Sequence, residues 1–391
     1  HTRFDCDWSS DVCSSDLKPI FDLRERFERR LDKDFSEEHQ DNKSDLLSRW
    51  RAGIAFSYKK QFSGQIVYQY AHDLFWTAAS NGSEERSDLL LGYVDFKAMD
   101  GKVRLGRQQL VKGSQRLVGP GEWGNTARSW DMARYSVGRW DAFFGKLAVN
   151  SAPSRDALLG GFSYGSKYGE TMMLYRHDKH SGTQDDIYTL DHTYKYKVGK
   201  FSADLEVAGQ AGRTADSKLE AWASSLRVNY QHDAKTKFYV EGNAASGGTR
   251  GDTSLTFDQF YATNHTKYGI LDAQGWRNMK GLTLGVNYKP TKALSLNAEY
   301  HRFGLWAADD AWYSDGGKPN KGDGFTFKDA TGSKGTDVGG EIDFWGSYEL
   351  DKHSAFEAGI SWFKPGAFIK AFAGAGNQDQ VYGYVQYRIK F

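Results

Sequence analysis

Early in the chain and at its end, cations stand two residues apart: Arg24 with Arg26, Arg49 with Arg51, Lys102 with Arg104, and Arg388 with Lys390. In a strand that spacing puts both members of a pair on one face. The chemistry they offer is binding. Guanidinium groups take carboxylates in bidentate fashion, and Arg/Lys rings lining a pore favour anions and phosphate. The alternative is a balanced interior in which these cations pair with Asp22, Glu28, Asp95 and Glu299.

Motifs for bond-making chemistry are weaker. Gly161-Phe162-Ser163-Tyr164-Gly165 satisfies G-x-S-x-G, but a nucleophile elbow needs a strand-to-helix turn, and Ser163 falls within an alternating run. Arg250-Gly251-Asp252 has the form of an adhesion tripeptide, in a Gly/Thr-rich loop where a chance match suffices. Asp309, Asp310, Asp315 and Asp323 offer oxygen ligands without the spacing of a calcium loop. The histidines are scattered, with no metal-ligand spacing. We therefore expect no catalytic residue, no cofactor and no metal.

The elements that must position the cations show at the end of the chain. Val381, Val385, Tyr387, Ile389 and Phe391 alternate with Tyr382, Tyr384, Gln386, Arg388 and Lys390. An apolar face opposite a polar one, over ten residues, fits a transmembrane β-barrel strand with lipid outside and water inside. The pattern recurs. In 49–58, Trp50, Ala52, Ile54, Phe56 and Tyr58 oppose Arg49, Arg51, Gly53, Ala55 and Ser57. In 294–301, Leu294, Leu296, Ala298 and Tyr300 oppose Ser295, Asn297, Glu299 and His301. Runs at 201–210, 222–231, 282–289 and 341–349 behave alike. Charges on the second face are costly in lipid and natural in a wet lumen.

Short Lys/Asp/Gly-rich turns alternate with longer polar connections near 33–43, 74–85, 110–126, 150–155, 178–185, 211–218, 248–276, 307–337 and 365–379. The count is about eight turns, about nine loops and hence about 18 strands, with both termini on the short-turn side. The predicted fold is all-β: a single transmembrane antiparallel barrel with short periplasmic turns and long extracellular loops. First and last strands pair on closure, so Arg24, Arg26, Arg388 and Lys390 become neighbours.

Composition agrees. Aromatics reach 15% and Gly 43, while Pro is only 6, as interfacial girdles and long paired strands require. No run approaches the ~18 apolar residues of a transmembrane helix. Lys plus Arg number 51 against 50 Asp plus Glu, with no basic block of the kind that binds nucleic acid. Residues 7–17, Asp7 to Leu17, resemble the translation of a sequencing adapter, so 1–17 reads as a foreign segment standing where a signal peptide belongs. The barrel is then 18–391. Both cysteines, Cys6 and Cys13, lie in the excluded segment, which leaves no disulfide or thiolate site in the barrel.

The stretch 103–135 is unlike the strands. It runs through Arg104, Gly106-Arg107, Gly113-Ser114-Gln115-Arg116, Gly119-Pro120-Gly121, Trp123, Arg128, Asp131 and Arg134-Tyr135. Its middle is too rich in Gly and Pro for a spanning strand and reads as a loop folded into the mouth. This block resembles the signature of the alginate export family: a Gly-Arg pair, a Gly-x-Gln-Arg segment, a Trp, then Arg-x-x-Asp entering the next strand. The tail is also similar to the C-terminal insertion signal of bacterial outer-membrane proteins.

The resemblance implies a monomeric bacterial outer-membrane barrel with a narrow, arginine-rich lumen that passes an anionic polysaccharide. On matching positions it makes Arg107, Arg116, Arg128, Asp131 and Arg134 lumen or constriction residues, beside Arg24, Arg26, Arg49, Arg51, Arg104, Arg388 and Lys390. Asp131 and Arg134 have opposite parity, so a bulge is needed for both to point inward. The expected partners are an anionic polysaccharide such as alginate or a small anionic solute, outer-membrane lipid and lipopolysaccharide, the barrel-assembly machinery and periplasmic export factors. A substrate-specific uptake porin for small organic anions is the alternative. A lipid-modifying outer-membrane enzyme would need a Ser/His/acid set near the interface, and the sequence offers none.

Overall fold

Apolar and polar residues that alternate along a strand must part to opposite sides of the sheet. Here they part to the outside and inside of a closed wall. The computed structural model describes residues 2–3, 15–36, 41–59, 61–73, 86–149, 156–180, 183–215, 217–372 and 377–391. Its wall is a closed 18-strand antiparallel barrel. The strands are β1 Ser15–Leu31, β2 Lys43–Tyr58, β3 Phe62–Asp73, β4 Arg86–Ala98, β5 Gly101–Gln108, β6 Ser129–Val137, β7 Trp140–Val149, β8 Asp156–Gly165 and β9 Glu170–His180. They continue as β10 Thr183–Val198, β11 Phe201–Thr214, β12 Ser217–Gln231, β13 Thr236–Ala245, β14 Met279–Tyr288, β15 Leu294–Gly304, β16 Asp337–Glu349, β17 Ser354–Pro365 and β18 Gln380–Lys390. Each pairs with its neighbours, and β18 closes on β1 with Asp22 opposite Lys390 and Arg24 opposite Arg388.

The outer face is apolar. Trp50, Ile54, Ile66, Phe144 and Leu190 stand 42% to 60% exposed, an arrangement that water penalises and a hydrocarbon layer does not. No helix of the described residues is long and apolar enough to cross a membrane. The strands do the crossing.

Short turns occupy one end of the barrel. At the other end lie the long connections L1 (32–42), L3 (109–128), L7 (246–278), L8 (305–336) and L9 (366–379). The expected loops 74–85 and 150–155 lie outside the described residues, as do Cys6 and Cys13. Two expected long loops are instead tight hairpins. β9 and β10 pair out to His180 opposite Thr183, and β11 and β12 out to Thr214 opposite Ser217. Asp178 and Asp185, among the polar residues that suggested a loop, face the lumen, and Arg176 of β9 bonds Asp185 of β10 at 2.8 Å. β1 starts at Ser15, so its first residues fall within the stretch read as foreign, and Leu17 pairs with Phe56.

The interior corrects a second expectation. A continuous polar lumen is not found. Polar residues line the short-turn side and reach the long-loop end at Arg176, Asp178 and Asp185, but elsewhere toward the long-loop end the inner face carries Leu147, Leu159, Ile187 and Phe363. L1, L3, L7, L8 and L9 fold inward onto these residues with Phe35, Leu117, Phe257, Ile270, Trp312, Phe327 and Phe368. Phe35 lies 5.7 Å from Phe363 and 6.1 Å from Trp312, ring centre to ring centre. A buried apolar core therefore fills the mouth, and it holds the loops in place by the same burial that stabilises a soluble domain.

Candidate functional site

Register assembles the cations into rows. Arg24 of β1 is opposite Arg388 on one side and Arg49 on the other. In the next row Asp22 lies between Lys390 and Arg51. Three guanidinium groups side by side repel unless something compensates them. Asp22 takes part of the charge: it accepts from Arg388 Nε at 3.0 Å and lies 3.9 Å from Arg51. Glu28 pairs with Arg26 at 2.5 Å.

The rest of the compensation comes from L3. At its tip the backbone carbonyls turn toward the wall. Arg24 donates to the carbonyl oxygens of Glu122 at 2.9 Å and of Trp123 and Gly124 at 3.0 Å. Arg26 donates to the Trp123 carbonyl at 2.8 Å, and Arg49 to that of Glu122 at 2.9 Å. Arg51 donates to the Glu122 carboxylate at 2.9 Å. Burial pushes the Glu122 carboxyl up, but Arg51 and Arg49 outweigh it and hold it below its ordinary value of 4.5. The Trp123 ring lies between the Arg26 guanidinium, 3.8 Å from its centre, and the His265 ring of L7, stacked at 3.6 Å.

The base of L3 is fixed to L7. Their backbones pair through Gly119 N–H to the Tyr261 carbonyl and Tyr261 N–H to the Leu117 carbonyl, each 2.9 Å. A Cβ at Gly119 would lie 2.3 Å from Thr263 Oγ1, so this close approach requires glycine. Arg128 donates to the carbonyls of Gly119 at 2.7 Å and Tyr261 at 2.5 Å. Burial pushes the Arg128 guanidinium down to about 10. Arg116 donates to Tyr268 Oη at 3.0 Å and to Glu241 at 2.7 Å.

Other expected site residues divide by face. Arg104 points inward, makes a bidentate pair with Asp95 at 2.6 and 2.7 Å and stacks on Tyr93. Arg134 also points inward and bonds Asp141 at 2.7 Å. Lys390 is exposed at the short-turn end. Arg107 and Asp131 correct the expectation. They lie opposite each other across β5 and β6 on the outer face, where Leu105 is also exposed, and form a bidentate pair at 2.8 and 2.9 Å. The register shift in β6 falls between Ser129 and Trp130. It precedes Asp131 and so leaves the opposite parity of Asp131 and Arg134 untouched. Neither Arg107 nor Asp131 lines the path.

Ser163 of the G-x-S-x-G match faces inward from β8, 2% exposed, and accepts from Lys112 Nζ at 2.7 Å. That is a structural contact in a strand, with no elbow. Below the L3–L7 junction lies a cavity of about 590 Å³ whose walls include Arg116, Glu170, Glu206, Arg227, Glu241 and Lys267, with the turn residues Gly165 to Gly169 at its rim. Lys267 of L7 is pushed down to about 8 by burial, with Arg116 adding to the effect. Sequence reading missed this chamber because its charges come from two loops, L3 and L7, and from β9, β11, β12 and β13, at positions far apart along the chain.

A closed barrel with an apolar belt, charged inner walls and inward-folded loops defines an outer-membrane channel of the porin type. The chain belongs to the Alginate export family, whose family model matches residues 17–382. Among solved structures it is similar to OccK11 (OpdR) of Pseudomonas aeruginosa, with 13% identity, TM-score 0.60 and 96% of each chain covered. It is similar also to OccAB2 of Acinetobacter baumannii, with 11% identity, TM-score 0.65, and 96% of this chain and 98% of that one covered. At such identities the likeness is one of fold. No curated protein matches the chain.

Proposed function

We propose that this channel gives passive, selective passage to an anionic, saccharide-like solute, and that export of an anionic polysaccharide such as alginate is its role. The observation that carries the sign of the charge is the wall of Arg24, Arg49 and Arg51. Each keeps a buried N–H with no acceptor in the protein: Arg24 Nε, Arg49 Nε and Arg51 Nη2. A wall short of acceptors suits a permeant that brings carboxylate oxygens. The L3 tip already offers such oxygens, so an anionic permeant competes with Glu122 and its neighbouring carbonyls for the same donors. Several moderate sites in series then allow exit as well as entry.

A second reading is uptake of small organic anions. The inward folding of L3, L7 and L8 favours it, because a polymer passes only if those loops move aside. The barrel sets no direction; the gradient and any periplasmic partner do. Reading 1–17 as foreign remains part of this proposal, and sequencing the locus tests it.

The test is single-channel recording of refolded protein in planar bilayers, with reversal potentials and added uronate monomer or polyuronate. Anion selectivity with block by polyuronate supports export. Anion selectivity with block by the monomer alone supports uptake. Cation-selective pores indifferent to both would overturn the anionic reading. Glu122→Gln, which keeps shape and removes the competing charge, raises polyuronate affinity several-fold if the competition holds.

A further inference from the structure

Along the wall from the arginines, one strand beyond β18 and β17, lies an acidic patch with the makings of a metal centre. Glu299 and His301 lie on β15 two residues apart, and Glu341 and Asp343 on β16 two residues apart. Glu299 is opposite Asp343 and His301 opposite Glu341. All four point into the barrel and are 0% to 4% exposed. We propose that Glu299, His301 and Asp343 bind a divalent transition-metal cation, with Zn²⁺ as the reference ion, and that this ion fastens L7 to the wall.

Geometry comes first. The candidate ligand atoms of Glu299, His301 and Asp343 all lie within 4.8 Å of one another. His301 Nε2 is 2.9 Å from Glu299 Oε2 and 3.3 Å from Asp343 Oδ2. Ligands about 2.0–2.2 Å from a tetrahedral ion stand about 3.3 Å apart, so small adjustments admit one.

The surroundings orient these groups. His301 Nδ1 is 2.9 Å from Thr283 Oγ1. With Nδ1–H donated to that hydroxyl, Nε2 presents its lone pair to the carboxylates, the second-sphere arrangement of a metal-bound imidazole. Tyr239 donates to Glu299 Oε1. The Ile270 amide donates to Asp343 Oδ2 at 3.1 Å. The Leu271 amide at 3.0 Å and Ser361 Oγ at 3.0 Å donate to Glu341 Oε1.

Charge makes the case independently. Three carboxylates and one imidazole are buried together, and among the described residues no Lys or Arg forms an ion pair with any of the three. Arg227, the guanidinium whose field reaches Glu299, is bonded to Glu241. Two fully buried oxygens at the patch, Asp343 Oδ1 and Glu341 Oε2, have no hydrogen-bond partner. Such a cluster is costly unless a cation or protons neutralise it. Protons are the competing solution: an imidazolium between Glu299 and Asp343, and a shared proton between Asp343 and Glu341, which touch.

The consequence is mechanical. L7 hangs on these carboxylates by its Ile270 and Leu271 amides. Gly269, at φ +87°, lets the backbone approach Glu341 so closely that a Cβ there would lie 2.2 Å from its oxygen. An ion that fixes Asp343 thereby fixes the loop that seals the mouth.

The experiment is to refold the full chain in chelator, remove the chelator and titrate with Zn²⁺. Stoichiometry is read by elemental analysis, and coordination by the visible spectrum of a Co²⁺-loaded sample. The expected result is one ion per chain, a tetrahedral Co²⁺ band, and slower proteolysis within 246–278 on loading. His301→Gln should lower affinity at least about 100-fold, and Thr283→Ala about 10-fold. Folding of each variant is checked by its heat-modifiable gel migration. Wild-type protein that binds no more ion than His301→Gln, or shows no tetrahedral band, would overturn the proposal in favour of protons. The wild-type Co²⁺ spectrum decides even if a variant fails to fold.

Discussion

The arginine wall of β18, β1 and β2 and the acidic wall of β15 and β16 hold their loops by opposite ends of the peptide group. The first grips L3 through the carbonyls of residues 122 to 124; the second grips L7 through the amides of Ile270 and Leu271. A loop strand has a carbonyl edge and an amide edge, so a lumen with one basic and one acidic wall can orient two loops without sequence-specific side chains. The two walls differ in slack. The basic one keeps N–H donors lacking acceptors and suits an incoming anion. The acidic one keeps carboxylate oxygens lacking donors and suits an incoming cation. L3 and L7 then meet between them, through Trp123 and His265.

The comparison breaks most sharply at Arg24. Arg24→Ala removes the donor for three carbonyls and the Asn125 side chain. It should cost about 3 kcal/mol, since each lost charged-donor bond strands a buried acceptor. Urea unfolding in detergent reads that loss, and a higher, noisier single-channel conductance reports a freed L3. Next is Trp123→Ala, which empties the sandwich between Arg26 and His265. About 2 kcal/mol is expected, less than for a fully buried tryptophan because Trp123 is half-buried; L3 proteolysis should rise while L7 stays protected.

A smaller effect follows from acid. Burial, reinforced by Arg26, pushes His265 down from 6.5 to about 3, and burial pushes the Asp272 carboxyl, 2.9 Å from His265 Nδ1, well above 3.8. Between pH 3.8 and 6.5 the pair holds one proton in either state, on Asp272 when L7 is seated and on His265 when it is released. Seating is therefore level across that window and weakens in acid only below about pH 3.8, where the released pair binds a second proton. Channel opening should stay level from pH 6.5 to about 4 in wild type and rise as pH falls from 6.5 in Asp272→Asn, which leaves His265 as the titrating member of the pair. The smallest effect is expected outside the lumen. Arg107→Ala or Asp131→Asn breaks an outer-face pair and leaves conductance and selectivity at wild-type values. Altered selectivity in either would return the pair to the path.

Period-two patterning made the wall legible. It sets Arg24, Arg26, Arg49, Arg51 and Arg388 on the inner face of their strands and Asp131 and Arg134 on opposite faces. The loops were not legible, because their contacts have no period. Arg116 meets Glu241, 125 residues away, and Arg128 meets the Tyr261 carbonyl, 133 away. One signal was available: Phe257, Tyr261, Trp276, Trp312 and Phe327 sit in connections that would be poor in aromatics if they were simply solvated. Glu299 and His301 were seen on one face but not as ligands. Strand spacing of two supplies half a site, and the other half, Asp343, comes from the neighbouring strand.

The pairing of β18 with β1 has a last consequence, for how the molecule comes into being. Arg388 and Asp22 are 366 residues apart, and their contact cannot form until every intervening hairpin exists. Closure entropy places such a contact at the end of assembly. Until then both strands are open edges able to pair with any other chain. The ion pair at this seam is thus a finishing stitch, and the interval before it is made is when the chain most needs an escort.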